Sequence, residues 1–459
     1  MPFTYHPPTR QTCEVCQNIN GDLKPIVDTH RGKASAADNF PIHNWYNFVL
    51  GYTPEFPDYV LNREKVSSKN FVVDPFLGSG TTMVCCKAKC IPSAGVEAND
   101  FFEFAAKVKL NWDLDPKVLR KYQTKILENL KGEFSQYAWP VATSQTQLPL
   151  VKVGDLSPIK YAQQYRPKLL LEKYVSDSPF TKLELIRNEL EKTKWPTREM
   201  RDFFYLAYSG AILPSSNIRY GPGFGVIKPK LDIDVFSIFS KRLERMIADI
   251  ESVKDEKTVK TKSIVHLGDA RQLSKYLKKN SVDFMITSPP YPGDHEYTKH
   301  SKLELIFNGF AHSLDHFKEI KQRMLRGSTT NIYKNDKEGD AIKDIKSISK
   351  IVTEIDKRLK ADGATSGFEK LYTKLIWEYF GGMYKVFQES LEVLKPGAKF
   401  SLLVSDSHAF KMVHIETAEL LKDVAEKAGF RDCHIELWQY KISTSHKYKL
   451  LENILTIEK

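Results

Sequence analysis

A glycine-rich turn set between an apolar strand and a helix is the feature that most narrows the folds open to this chain. Phe71-Val72-Val73 reads as a buried strand, Asp74-Pro75-Phe76-Leu77-Gly78-Ser79-Gly80-Thr81-Thr82 as the turn, and Met83-Val84-Cys85-Cys86-Lys87-Ala88 as the helix. Such an order belongs to an α/β sheet, where ligands bind outside the carboxyl ends of the strands. Gly78 and Gly80 let the backbone approach a ligand closely, the first helical turn offers unpaired N–H groups, and Thr81 is a candidate cap. A carboxylate or other anionic group suits that end. The nucleotide-phosphate form of such a loop wants a lysine after the last glycine, and Thr81 stands there instead. Gly95-Val96-Glu97 reads as the next strand end, with Glu97 placed to accept from ribose hydroxyls.

A second turn follows another buried strand. Val282-Asp283-Phe284-Met285-Ile286 runs into Thr287-Ser288-Pro289-Pro290-Tyr291, and two prolines cannot continue a central ladder, so the chain turns at the strand's carboxyl end. Proline nitrogens donate no hydrogen bond. The carbonyls around Pro289 are therefore available to a ligand, with the Ser288 hydroxyl alongside and Tyr291 as a stacking face. Polar acceptors beside an aromatic ring suit an amino group carried on a flat ring.

Together these residues resemble the S-adenosylmethionine-dependent amino-methyltransferases of DNA, which methylate exocyclic nitrogens of adenine or cytosine. Asp74, Phe76, Gly78, Gly80, Thr81 and Thr82 look like the family's cofactor motif, Glu97 like its ribose-binding acid, and Ser288, Pro289, Pro290 and Tyr291 like its catalytic motif. His43-Asn44-Trp45-Tyr46-Asn47-Phe48, continuing to Tyr52 and Pro54, is similar to the aromatic segment that closes over the methionine end of the cofactor; Trp45 and Tyr46 are its candidate contacts. Val265-His266-Leu267-Gly268-Asp269 looks like the strand end whose acid, Asp269, reaches the adenine. Leu394-Lys395-Pro396-Gly397-Ala398-Lys399-Phe400 resembles the turn before the strand that follows the catalytic one.

The resemblance implies an α/β, Rossmann-like methyltransferase sheet, S-adenosyl-L-methionine as cofactor and no metal. Serine at the first catalytic position looks like the N4-cytosine subgroup, with N6-adenine as the alternative. Two other classes stay in view. Protein-glutamine methyltransferases use a similar loop that begins with asparagine, where this chain has Ser288; a non-catalytic DNA-binding subunit would be expected to have lost the cofactor residues retained here. In the implied reaction Ser288 and the Pro289 carbonyl hold the amino hydrogens of a flipped base, Tyr291 stacks on it, and the product proton leaves to water, with Asp294 or His295 as candidate acceptors. Methylation at carbon 5 of cytosine commonly uses a thiolate after proline, and this chain has no Pro-Cys.

At 459 residues the chain exceeds one typical domain, so a catalytic core with insertions is expected. We read an amino-terminal segment (1–34), three core pieces (35–112, 263–311 and 369–459) and two largely helical insertions (113–262 and 312–368). The first insertion, the expected carrier of target recognition, holds a helical pattern from 198 to 208. It also holds a glycine-rich loop in which Asn217 and Arg219 suit a nucleic-acid backbone or base edge. The second mixes lysines with acids, as a solvated helical surface or mobile loop does, and offers Lys321, Arg323 and Arg326 to phosphates. Near the carboxyl end, residues 415–429 read as an amphipathic helix, with 434–438 and 454–457 as a closing strand pair.

Lysine and arginine number 68 against 57 acids, a net charge of +11 that favours a polyanion such as double-stranded DNA. Six cysteines over this length make no disulfide framework, and Cys13-x-x-Cys16 is half a zinc site without its other half. The first residues show no charged-then-apolar leader, and no apolar run approaches a membrane span. These features lead us to expect a cytoplasmic protein of the prokaryotic cytosol or nucleoid, with a cognate restriction endonuclease as a candidate partner.

Overall fold

The computed structural model describes residues 41–48, 50–139, 156–220, 224–293, 296–363, 367–442 and 449–459. Segment 1–34 with Cys13 and Cys16, and the proposed proton acceptors Asp294 and His295, lie outside the described residues.

The strands, in chain order, are β1 (Val72–Asp74), β2 (Ser93–Glu97), β3 (Ile218–Tyr220), β4 (Phe224–Val226), β5 (Ser263–Leu267), β6 (Val282–Thr287), β7 (Leu394–Ser405), β8 (Ser407–Ala409), β9 (Val413–Ile415), β10 (Arg431–Ile442) and β11 (Lys449–Glu458). Among the described residues seven of them form one sheet in the order β10-β11-β7-β6-β1-β2-β5, while β3–β4 and β8–β9 are separate hairpins. From β7 to β5 the pairing is parallel. β11 enters antiparallel between β7 and β10, so the expected closing pair completes a mixed sheet. This is the expected α/β, Rossmann-like architecture.

Both faces of the sheet are covered, which is why β1 and β2 read as continuous small or apolar runs: every residue in both strands is buried. One core gathers Phe101, Ala105, Phe180, Phe203 and Phe239, joining the helix Asp100–Lys109 to the helical body between β2 and β5. Another joins Val73, Met285 and Leu402 of the sheet to Tyr379 and Phe387 on the helix Tyr372–Val393. A smaller one packs Phe56 and Val60 of the helix Glu55–Arg63 against Val72, Phe284 and Leu403.

The helix predicted over 198–208 runs from Arg198 to Ser215, capped by the Thr197 side chain accepting from the Met200 N–H. The helix Thr417–Ala428 stops at Gly429, whose φ of 114° only glycine adopts readily. Two expectations are corrected. Residues 394–400, read as a turn, lie within β7; Gly397 at φ 72° and a slip in pairing opposite Val282 and Phe284 absorb the irregularity inside the strand. The second insertion is packed: Ile342, Ile348 and Ile355 are fully buried in the core that holds Tyr379. Its cations offered to phosphates are engaged internally, Lys321 with Glu296 at 3.1 Å, Arg323 with Asp100 at 2.5 Å and Arg326 with Asp336 at 3.0 Å. Among the described residues no helix is long and apolar enough to cross a membrane.

Candidate functional site

The chain leaves β1 towards β2 and β5 on one side, while β6 and β7 lie on the other. The crevice where the order reverses is the expected ligand position in an open sheet. A cleft opens there, floored by the turns that follow β1, β2, β5 and β6. Phe76, Gly78 and Thr81 line it from the first of these turns, Glu97 from the second, Asp269 from the third, and Ser288, Pro289, Pro290 and Tyr291 from the fourth.

Gly78, at φ 52°, has open space where a side chain would begin, so ligand atoms can approach the turn closely. Gly80 stands behind it as the first cap of the helix Thr81–Ala88, with Ala106 3.2 Å from where a Cβ would sit. Glu97 lies at the back of the cleft, 9% exposed, its Oε2 accepting from the Gly78 N–H at 2.7 Å and its Oε1 from the Asn99 N–H at 2.8 Å. Each oxygen keeps a lone pair for a further donor. Burial raises the Glu97 carboxyl to about 7.

Asp74 is fully enclosed rather than facing the cleft. Its Oδ1 accepts from the Thr287 hydroxyl at 2.6 Å and the Phe76 N–H at 3.0 Å, and its Oδ2 from the Tyr52 hydroxyl at 2.8 Å. Tyr52 in turn lies 2.5 Å from Thr82 Oγ1. Asp74 and Thr82 therefore hold the β1 turn to the β6 turn and to the aromatic segment from behind the pocket wall. Burial raises the Asp74 carboxyl above its ordinary value.

The aromatic segment reaches the cleft through other residues than expected. Trp45 is buried, its indole N–H donating to Asp249 at 2.9 Å and its ring edge-on to Phe203; the Tyr46 hydroxyl donates to Glu304 at 3.1 Å. Phe48, Gly51 and Tyr52 line the cleft instead. Buried Lys109 fastens the segment to the glycine turn, donating to the carbonyls of His43 at 3.0 Å and Tyr46 at 2.8 Å and to Ser79 Oγ at 3.4 Å. Burial and the nearby Arg242 charge pull the Lys109 ammonium down to about 7.

Asp269 faces the cleft already paired, its Oδ2 2.7 Å from Arg271 Nη2, and Arg271 continues to Glu338 of the second insertion at 3.1 Å. That insertion also supplies the wall formed by Arg323, Met324 and Leu325. Arg323 donates to the Ala98 carbonyl at 3.1 Å. Of this wall sequence reasoning singled out Arg323 alone, and for phosphates; Met324, Leu325 and Tyr297 carry no motif and were missed.

In the catalytic turn the Ser288 hydroxyl donates to the Leu403 carbonyl at 3.0 Å and lies 3.4 Å from the Tyr291 hydroxyl. Asn217 and Arg219 do not line the cleft. Asn217 is fully buried: its N–H donates to the Tyr174 carbonyl at 2.7 Å, its amide to Ser176 Oγ at 3.1 Å, and its Oδ1 accepts from the Lys230 N–H at 2.8 Å. This corrects its expected contact with nucleic acid, since the side chain is consumed in bracing the β3–β4 hairpin. Arg219 is exposed on β3. Next to it, the Tyr220 ring lies 5.3 Å from His300, so the hairpin docks on the segment downstream of the catalytic turn.

The fold and the strand-end cleft define a Rossmann-like methyltransferase architecture. No family model matches the chain. It is 23% identical over 431 residues to the type II methyltransferase M.BsoBI of Geobacillus stearothermophilus, covering 87% of this chain and 81% of that protein. It is 22% identical over 419 residues to the type II methyltransferase M.AvaI of a Nostoc species, covering 85% and 79%. A shorter match of 170 residues, 28% identical, relates 36% of the chain to 27% of the type II methyltransferase M.MjaII of Methanocaldococcus jannaschii.

Proposed function

We propose that this chain is a site-specific DNA methyltransferase that transfers a methyl group from S-adenosyl-L-methionine to the N4 amino group of a flipped cytosine in duplex DNA. The observation that carries the reading is the convergence of Ser288-Pro289-Pro290-Tyr291 and Glu97, from separate strand ends, on one cleft, in a chain that aligns over most of its length with type II methyltransferases. The residues present fit the cofactor. The open backbone at Gly78 and the helix start at Thr81 suit its carboxylate, the spare lone pairs of Glu97 its ribose hydroxyls, and the Asp269–Arg271 end its purine. When bound, it supplies a sulfonium methyl group with a neutral thioether as leaving group.

The chain's own contribution is to hold the amine. Its lone pair is delocalised into the ring, so two acceptors must take the amino hydrogens and draw the nitrogen towards tetrahedral geometry. Ser288 directs its own proton to Leu403, which leaves its oxygen lone pairs for the amino group. The Pro289 carbonyl is the second acceptor, Tyr291 the stacking face, and rate comes from positioning. Serine at the first position supports cytosine; N6-adenine methylation would use the same geometry. We assign recognition chiefly to the first insertion through Arg219, and propose a role in restriction–modification or a related defence system, beside a cognate endonuclease in the cytosol.

Incubation with labelled S-adenosylmethionine and duplex DNA tests this. Label in DNA is the expected result. Cofactor binding without transfer to any DNA, or label in protein glutamine, overturns it.

A further inference from the structure

The two prolines of the catalytic turn bring no backbone donor to it. Pro289 and Pro290 carry no N–H, so the carbonyls around them depend on donors from elsewhere to fix their directions. One such donor lies 89 residues downstream: the hydroxyl of Tyr379, on the helix Tyr372–Val393, donates to the Pro290 carbonyl at 2.8 Å. Tyr379 is fully buried, and its ring is locked edge-on against Phe380 at 4.9 Å, so the hydroxyl arrives on a rigid arm. The Pro290 carbonyl is thus held from an element that contributes nothing to the motif itself.

We infer that Tyr379 is a positioning residue for methyl transfer: by fixing the Pro290 carbonyl it sets the orientation of the Pro289 carbonyl and the Tyr291 ring, which are the groups proposed to hold the target base. The inference rests on the functional reading above. It adds a residue that does not line the cleft and that no motif signals. The Ser288–Leu403 bond fixes the first acceptor itself and the Tyr379–Pro290 bond fixes the carbonyl next to the second, so one amine-holding arrangement is anchored from outside the turn at two points, one on β7 and one on the helix Tyr372–Val393.

The test is Tyr379→Phe, which removes the donor and keeps the ring. Single-turnover methyl transfer at saturating cofactor and DNA is expected to fall by roughly ten- to a hundredfold, the scale of a small misplacement of reacting groups, with cofactor affinity unchanged and the protein still folded at the assay temperature. In the double variant with Ser288→Ala the losses should combine to less than their product, because both disturb one arrangement around the amino group. A Tyr379→Phe rate within about twofold of the parent overturns the inference, as does a loss of rate that follows a loss of cofactor affinity or of folding, or losses that multiply independently. Failure of the parent protein itself to methylate DNA in the same assay instead overturns the functional reading on which the inference stands.

Discussion

Glu97 illustrates how a single side chain carries both structure and chemistry. Its carboxylate satisfies two backbone N–H groups that would otherwise be orphaned at the strand end, yet burial raises it to about 7. Ribose hydroxyls that donate to it favour the ionised form, so cofactor affinity should be full above that pH. It should fall as the pH is lowered through about 7, approaching roughly tenfold per unit well below it. Calorimetry between pH 5.5 and 8.5, as an assay range of about three units, reads this directly. Glu97→Gln should flatten the profile and weaken binding by about 1.5–3 kcal/mol at high pH, and a profile identical to the parent's would place the ribose elsewhere. Glu97, Gly78, Ser288 and Tyr291 were legible as cleft-lining residues because each sits at or just beyond a strand end, where a largely buried run stops. Trp45 and Tyr46 were not correctly assigned, since the irregular segment around them has no period to say which aromatic turns towards the cleft and which into the core. Asn217 shows the same limit: an amide reads identically in sequence whether it meets a ligand or the protein's own backbone.

Among the elements, the second insertion departs furthest from its reading. Its lysines and acids resemble a solvated surface, but Ile348 and Ile355 lie seven residues apart, two turns on one face of the helix Lys346–Ala361, and both are fully buried. The signal was present and the charge obscured it. Ile355→Ala should therefore destabilise the whole fold by about 2–5 kcal/mol in a cooperative denaturant transition; a change below about 0.5 kcal/mol would make the insertion an appendage. The β3–β4 hairpin yields a different expectation. Its base is fixed by Asn217 and its side by Tyr220 against His300, so the exposed Arg219 is presented at a defined place beside the catalytic segment. Arg219→Ala should weaken DNA binding or methylation and leave cofactor affinity intact. A phosphate contact would lower the salt slope by about one for all sequences alike, whereas a base-edge contact would relax preference at one position. Unchanged DNA affinity, rate and preference would reduce the hairpin to a structural turn.

At the scale of the whole molecule, the succession of strand, glycine-rich turn and helix was enough to imply an α/β sheet with its ligand site at the strand ends. How the insertions return to that site depends on long-range pairs such as Arg271–Glu338, which no local pattern encodes. The same separation governs the chemistry. The sheet brings Ser288-Pro289-Pro290-Tyr291 to the cleft floor; under the proposed reading that geometry would serve any exocyclic aromatic amine, and the choice of base would fall to the walls around the flipped nucleotide and to the first residue of the turn. Under the proposed reading Ser288, which donates its proton to Leu403, would present an acceptor to the amino group, and the cytosine assignment rests on the resemblance of this serine to the N4-cytosine subgroup. Duplex DNA methylated by the purified protein, digested to nucleosides and resolved by mass spectrometry, should therefore yield N4-methylcytosine. N6-methyladenine in its place would keep the amine-holding mechanism and move the base assignment to the alternative. Finding 5-methylcytosine would overturn the mechanism itself, since attack through carbon 5 commonly requires a thiolate after proline and the chain has no Pro-Cys to supply it.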